Sequence, residues 1–162
     1  MGKSEILLTI VAFVFGIAMF ALVSNVVSGS NNVISVNKVF NDVKSLRDIV
    51  DLEKTMSING YDVGTIAGSL FSTQLGVSSV HTNKNYQKVF VMDVSNKTFK
   101  SKNSQIVYKV SGLSSDKYEI LIDKQGLSSD DINSILTSDS LKKICNSGIV
   151  NFDTNTIKCV VE

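Results

Sequence analysis

Ile6–Val27 reads ILLTIVAFVFGIAMFALVSNVV, and its reading sets the architecture of the chain. No charged side chain occurs from Ile6 to Asn37. A helix of about 20 apolar residues spans the hydrocarbon core of a bilayer, so this run has the length and character of a membrane-spanning segment. The one acid beside it is Glu5. A carboxylate at the centre of such a helix costs about 2.5 to 3.5 kcal/mol on insertion scales, so even at the edge Glu5 asks for a neutralising partner. Lys3 on the near side agrees with the tendency of cytoplasmic flanks to carry positive charge.

The helical pattern resumes after the weak stretch Ser28-Gly29-Ser30-Asn31-Asn32. Val36, Val39, Phe40, Val43, Leu46, Ile49 and Val50 recur at intervals that put them on one helix face. Lys38, Asp42, Lys44, Arg47, Asp48 and Lys54 are assigned to the other faces. The two halves together predict one long N-terminal helix over 1–55, with residues 1–28 in the apolar half. A helix of about 50 residues is about 75 Å long. Asn59-Gly60 supplies its stop signal. Gly16 and Gly29 are candidate points of helix softening; close packing of a small residue against another helix explains Gly16 equally well.

Residues 56–162 read as a head domain that mixes helix and sheet. Net charge is +1, from 16 basic and 15 acidic residues, which gives no reason to expect nucleic acid. Thr65–Leu75 is assigned a short helix through Ile66, Leu70 and Phe71. Lys88–Val94, Ile106–Val110 and Tyr118–Ile122 are assigned strands, separated by turn signals at Ser95-Asn96-Lys97 and Ser111-Gly112. The Lys-rich Lys97–Lys102 is read as a solvated strand edge or turn. Leu127-Ser128-Ser129-Asp130-Asp131 reads as a helix start, with a Ser cap and acids in the first turn, and Ile132, Ile135 and Leu136 form its apolar stripe. A second short helix follows over about Asp139–Cys145, and Ile149–Val161 has the pattern of a hairpin. The fold class is therefore α+β, with a long helix packed on an antiparallel sheet.

Cys145 and Cys159 are the only cysteines. An even, minimal count beyond a membrane segment favours a disulfide, and two buried thiols remain the alternative. The lone histidine, His81, is distant in sequence and fits no zinc spacing. No GxSxG, phosphate-binding glycine loop or HExxH occurs. Asp130-Asp131 is explained by helix-start chemistry, and His81 lies in a polar loop composition. The chain is thus read as a non-enzyme without a cofactor.

The opening Met1-Gly2-Lys3-Ser4-Glu5-Ile6-Leu7-Leu8, followed by an apolar and then an amphipathic helix, resembles a mature type IV pilin. The C-terminal block, with YEILI, GLSSDDINSIL and two late cysteines, resembles the type IVb branch, including the pilins of thin conjugative pili. It departs from many of these, which carry the first cysteine inside the GLSSDDINSIL helix, where this sequence has Ile132 or a neighbour; here both cysteines lie later and enclose only the final hairpin. The resemblance implies an N-methylated Met1 whose amine pairs with Glu5 during assembly. It also implies a homopolymer held by the N-terminal helix, a wait in the inner membrane with the head in the periplasm, and processing by a prepilin peptidase. A dedicated assembly machinery would drive polymerisation, and the filament would contact a recipient-cell or host surface. The competing readings are a signal-anchored periplasmic binding domain, in which Met1 is the initiator, and a minor pilin or a pseudopilin of type II secretion.

Overall fold

A computed structural model of the 162-residue chain describes residues 36–57, 59–72 and 80–162. The chain divides into two compact units, Met1–Ile34 and Ser35–Glu162, and the described residues belong to the second. The membrane-spanning stretch expected over Ile6–Val27, and the positions Met1, Glu5, Gly16 and Gly29, lie outside the described residues. Among the described residues no helix is long and apolar enough to cross a membrane.

Residues 36–56 form a helix, α1. The amphipathic half of the expected long helix is therefore helical. A single helix running from 1 to 55 is not supported, because its first part lies outside the described residues. The apolar stripe behaves as its spacing predicts: Val39, Val43, Leu46, Ile49 and Val50 are all buried. Lys44 and Asp48 pair at 2.9 Å on the exposed side, an i,i+4 contact worth only about 0.3–0.5 kcal/mol. After α1 the chain turns at Gly60, whose φ of +63° is a conformation that glycine adopts without a Cβ clash.

Helix α2, Val63–Gly68, starts at Asp62, whose carboxylate accepts from the Thr65 amide at 2.8 Å. A 3-10 turn at Val80–Thr82 and a short helix α3, Tyr86–Val89, lead into the sheet. The sheet has six strands in the order β1-β2-β3-β4-β6-β5, with every neighbouring pair antiparallel. They are β1 Phe90–Asp93, β2 Thr98–Ser101, β3 Val107–Gly112, β4 Tyr118–Asp123, β5 Gly148–Asn151 and β6 Thr156–Val161. Between β4 and β5 lie α4, Ser129–Thr137, and α5, Asp139–Ile144. Strand β6 inserts next to β4 and leaves β5 on the outside.

Alternation explains the strands. In β4, Tyr118, Ile120 and Ile122 are buried, while Glu119, Leu121 and Asp123 point to the other face. The inner face and the stripe of α1 share one apolar cluster. Phe99 sits in it, 4.9 Å from the Phe71 ring and 5.7 Å from Phe90. Such tilted and edge-on aromatic pairs contribute about 0.5–1.5 kcal/mol beyond area burial.

Three local expectations are corrected. Lys88 and Val89 belong to α3, so the first strand begins only at Phe90. The Lys97–Lys102 segment is neither an edge nor a turn alone: its core is β2, paired on both sides. Phe99 and Ser101 face inward while Lys100 faces out, so the lysines that suggested a solvated edge occupy only one face. Ser111 and Gly112 end β3, and the reversal comes afterwards, where the Leu113 and Ser114 amides donate to the Lys117 carbonyl.

At the C-terminus Cys145 and Cys159 form a disulfide with Cα atoms 5.1 Å apart. Cys145 caps α5 and Cys159 faces inward on β6. Closing a loop of about 15 residues contributes roughly 3 kcal/mol in the chain-entropy model. Asn146 reinforces the junction: its side chain donates to the Glu162 carbonyl at 3.2 Å and accepts from the Glu162 amide at 2.9 Å.

Candidate functional site

Two acids of α1 are buried beneath the head, and neither is explained by the amphipathic pattern. Asp42, assigned to a polar face by its spacing, is 1% exposed. Its carboxylate accepts from the hydroxyls of Ser101 at 2.8 Å, Ser104 at 2.6 Å and Tyr108 at 2.9 Å. A buried carboxylate is tolerable only when such donors replace its water. The Ser101 hydroxyl oxygen in turn accepts from the amides of Asn103 and Ser104, which shapes the β2–β3 turn. Burial, reinforced by the charge of Asp42, pushes the Tyr108 phenol far above its ordinary value and keeps it a neutral donor. The network locks the axial position of α1 on β2 and β3.

Glu53 is also 1% exposed. Its Oε1 accepts from the Tyr86 hydroxyl at 3.1 Å, and its Oε2 has no hydrogen-bond partner among the described residues. Burial raises the Glu53 carboxyl above its ordinary value, and the Tyr86 bond only partly opposes this. A raised folded-state value means that the folded chain holds the proton more tightly than the unfolded one. The ionised form therefore costs stability at neutral pH, and that cost lifts as pH falls through the raised value towards the ordinary one. Glu53→Gln is expected to raise the unfolding free energy at pH 7 by about 1–2 kcal/mol, the scale of one poorly satisfied buried group. The gain should shrink on acidification; urea midpoints at pH 7 and pH 4 that differ equally from wild type would contradict this account.

A third feature lies where the flank of α1 meets the end of β4. A cavity of about 360 Å³ there is bordered by Arg47, Asp51 and Lys54 of α1 and, on the opposite bank, by Asp62, Ser115 and Asp116. Tyr118 lines it as well.

Of the expected site residues, the structure brings Cys145 and Cys159 together, whereas Met1, Glu5, Gly16 and Gly29 are outside the described residues. Asp131 serves the helix start: it accepts from the Ser128 amide at 3.0 Å, while the Ser128 hydroxyl accepts from the Asp131 amide at 3.1 Å. This is a reciprocal capping box. His81 is half-buried in the 3-10 turn, and its carbonyl accepts from the Gln87 side chain at 2.6 Å. Among the described residues no three of His, Cys, Asp and Glu come together as a metal-holding group. Sequence reasoning missed Asp42, Glu53 and Tyr118. The signal available was weak: Asp42 and Glu53 lie three or four residues from core positions Val39, Leu46, Ile49 and Val50, at the margin of the apolar stripe. No family model, no curated protein and no solved structure matches this chain.

Proposed function

We propose that the chain is the structural subunit of a type IV pilus-like filament, in which the N-terminal segment builds the core and the α+β head forms the outer surface. The observation that carries this reading is the change in character along one helical pattern. Ile6–Val27 is uncharged with an acid at its edge, and residues 36–56 are amphipathic and seated on the sheet. An apolar half for association with like helices, joined to a half that holds a head, is what a filament-forming subunit requires. The disulfide closing the C-terminal region supports an oxidising, extracytoplasmic setting for the head.

In this reading Glu5 is neutralised by the amino terminus, Met1, of an adjoining subunit. Removing one partner of a buried ion pair costs about 3–5 kcal/mol per site, so the pair sets register between subunits. Before assembly the subunit resides in the inner membrane, where a prepilin peptidase and a dedicated machinery act on it. The filament then serves contact with other cells or surfaces, mating-pair contact included, and the role is structural rather than catalytic.

Glu5→Ala tests this in cells. Filaments visible by electron microscopy should disappear or shorten, while membrane fractionation shows undiminished insertion. Wild-type protein that is always monomeric, and indifferent to Glu5→Gln, would instead assign the chain to signal-anchored binding domains. Mass spectrometry of the first residue adds an independent readout: N-methylation supports the filament subunit, and an unprocessed initiator opposes it.

A further inference from the structure

The sheet ends in two strands that have a neighbour on one side only: β1, paired with β2, and β5, paired with β6. Such an edge presents a row of unpaired N–H and C=O groups, a template for a strand of another chain. Both edges are four residues long, and proline, which would block pairing, is absent from the sequence.

Exposed apolar side chains collect at these edges. Seven large ones are exposed among the described residues, and four stand on or directly after an edge strand: Val91 and Val94 at β1, Val150 and Phe152 at β5. The register carries Val91 through Lys100 to Val107, and Val150 through Lys158 and Leu121 to Lys109. Val107 and Lys109 alternate with the buried Tyr108, so the two valines share the outer face of the sheet. On the inner face, Met92 and Ile149 lie half-buried at opposite margins of the core. A groove of about 390 Å³ is bordered by Phe90, Val91, Met92 and Val94, with His81 and Gln87 beside them. Successive strand residues face opposite sides, so a groove that touches all of these opens at the free edge of β1.

Charge selects the orientation of a partner strand. Lys88 precedes β1, the Lys102 amide donates to the Val89 carbonyl at the same end, and Asp93 closes the strand. Asp153 follows β5, whereas Lys142 and Lys143 stand before it in the last turn of α5. All six are exposed, and no ion pair among the described residues holds any of them. Lys124 also approaches Asp153, but its ammonium donates to the Asp153 carbonyl. An antiparallel union of β5 with the β1 of a second copy brings Asp153 to the end that holds Lys88 and Lys102. It brings Asp93 to the end that holds the lysines of α5. A parallel union would set lysines against lysines and aspartate against aspartate, and like charges across a strand pair destabilise it.

We propose that the head binds a second copy of this chain edge to edge, β5 of one copy antiparallel to β1 of the next, with Val150 opposite Val91 and Ile149 opposite Met92. Every neighbouring pair within the sheet is antiparallel, so this union leaves each copy pointing the same way with the same face outward. The contact is heterologous and repeats along a row rather than closing a two-fold dimer. Copies in one filament or one membrane share such an orientation, yet the inference uses head residues alone and does not rest on the filament reading. Strands of four residues make a small contact of the weak class, which covalent capture can read.

The test uses the full chain in detergent, with single introduced cysteines captured by a short bismaleimide. Both native cysteines are held in the disulfide, so no other thiol reacts. Val91→Cys mixed with Val150→Cys should give a linked dimer that neither variant gives alone, and the double variant should give a ladder of multimers. Val94→Cys should link to Ser147→Cys and not to Phe152→Cys. Adding Lys88→Glu to the Val91→Cys copy and Lys143→Glu to the Val150→Cys copy should lower the yield about fivefold, because like charges then meet at both ends. The proposal is overturned if the mixture links no better than either variant alone, if Val94→Cys prefers Phe152→Cys, or if the charge reversals leave the yield unchanged. Electron microscopy of cells making the wild-type chain separates the two readings. Filaments without cross-linking overturn the edge contact alone, and cross-linking without filaments overturns the filament reading alone.

Discussion

Asp42→Ala is expected to lower the unfolding free energy of the head by about 3–5 kcal/mol, from the scale of hydrogen bonds to a buried charged acceptor. Three hydroxyls lose their acceptor at once: Ser101 and Tyr108 in the core, and Ser104 at its margin. Water cannot readily replace the carboxylate where Ser101 and Tyr108 are 0% exposed. Total stabilities of small domains are about 5–15 kcal/mol, so the variant should be close to unfolding at physiological temperature. Asp42→Asn retains one acceptor oxygen and should lose less. A double-mutant cycle with Tyr108→Phe measures the coupling directly, since removing both partners leaves fewer orphaned groups than removing one. An Asp42→Ala urea midpoint within error of wild type would show that the network does not hold the helix to the sheet.

Gly64→Ala should be comparably damaging for a steric reason. A Cβ at position 64 would lie 1.7 Å from the Ser114 carbonyl oxygen and 2.8 Å from its carbon. The approach is mutual, because a Cβ at Gly112 would lie 2.1 Å from the Gly64 oxygen. Both obstacles are backbone, so no rotamer change relieves them, and α2 would have to lift from the β3–β4 turn. Overpacking of this kind costs about 1–3 kcal/mol and more when backbone must move; we expect at least 3. Gly68→Ala on the same helix is the control. Its Cβ would meet only the Gly112 nitrogen at 3.7 Å, an ordinary contact. Helix propensity should then make the change neutral or stabilising by up to about 1 kcal/mol. If the two alanines behave alike, the close crossing of α2 is not what holds this corner. Hydrogen exchange of the Ile66 amide, which donates to the Asp62 carbonyl, would locate the loss at α2.

Much of the head was legible from spacing alone. The stripe of α1 buries as its three-and-four spacing predicts, because a helix turned any other way would expose those residues. The capped start of α4 and the basic end of α5 were equally plain, since capping is local chemistry within one turn. The strand containing Phe99 was obscured because lysines at 97, 100 and 102 dominate a window of six residues. Only the pairing of β2 with strands on both sides shows that its inner face is core. The first turn of the segment at Lys88 was misread because β-forming residues are also tolerated in a short helix, and the entry into the sheet set the boundary.

Covalent and local properties therefore came from the order of residues: an uncharged stretch at Ile6–Val27, an amphipathic helix after it, an α+β head and a pair of cysteines able to bond. These depend on interactions between near neighbours or on a periodicity that one strand of text displays. The burial of Asp42 and Glu53, the mutual approach of Gly64 and Gly112, and the unpaired hydroxyl of Tyr118 were settled only by tertiary structure. Asp42 meets Tyr108 across 66 positions of chain. Whether a polar group faces solvent or a donor depends on what the fold places opposite it, and no local pattern encodes a partner that far away.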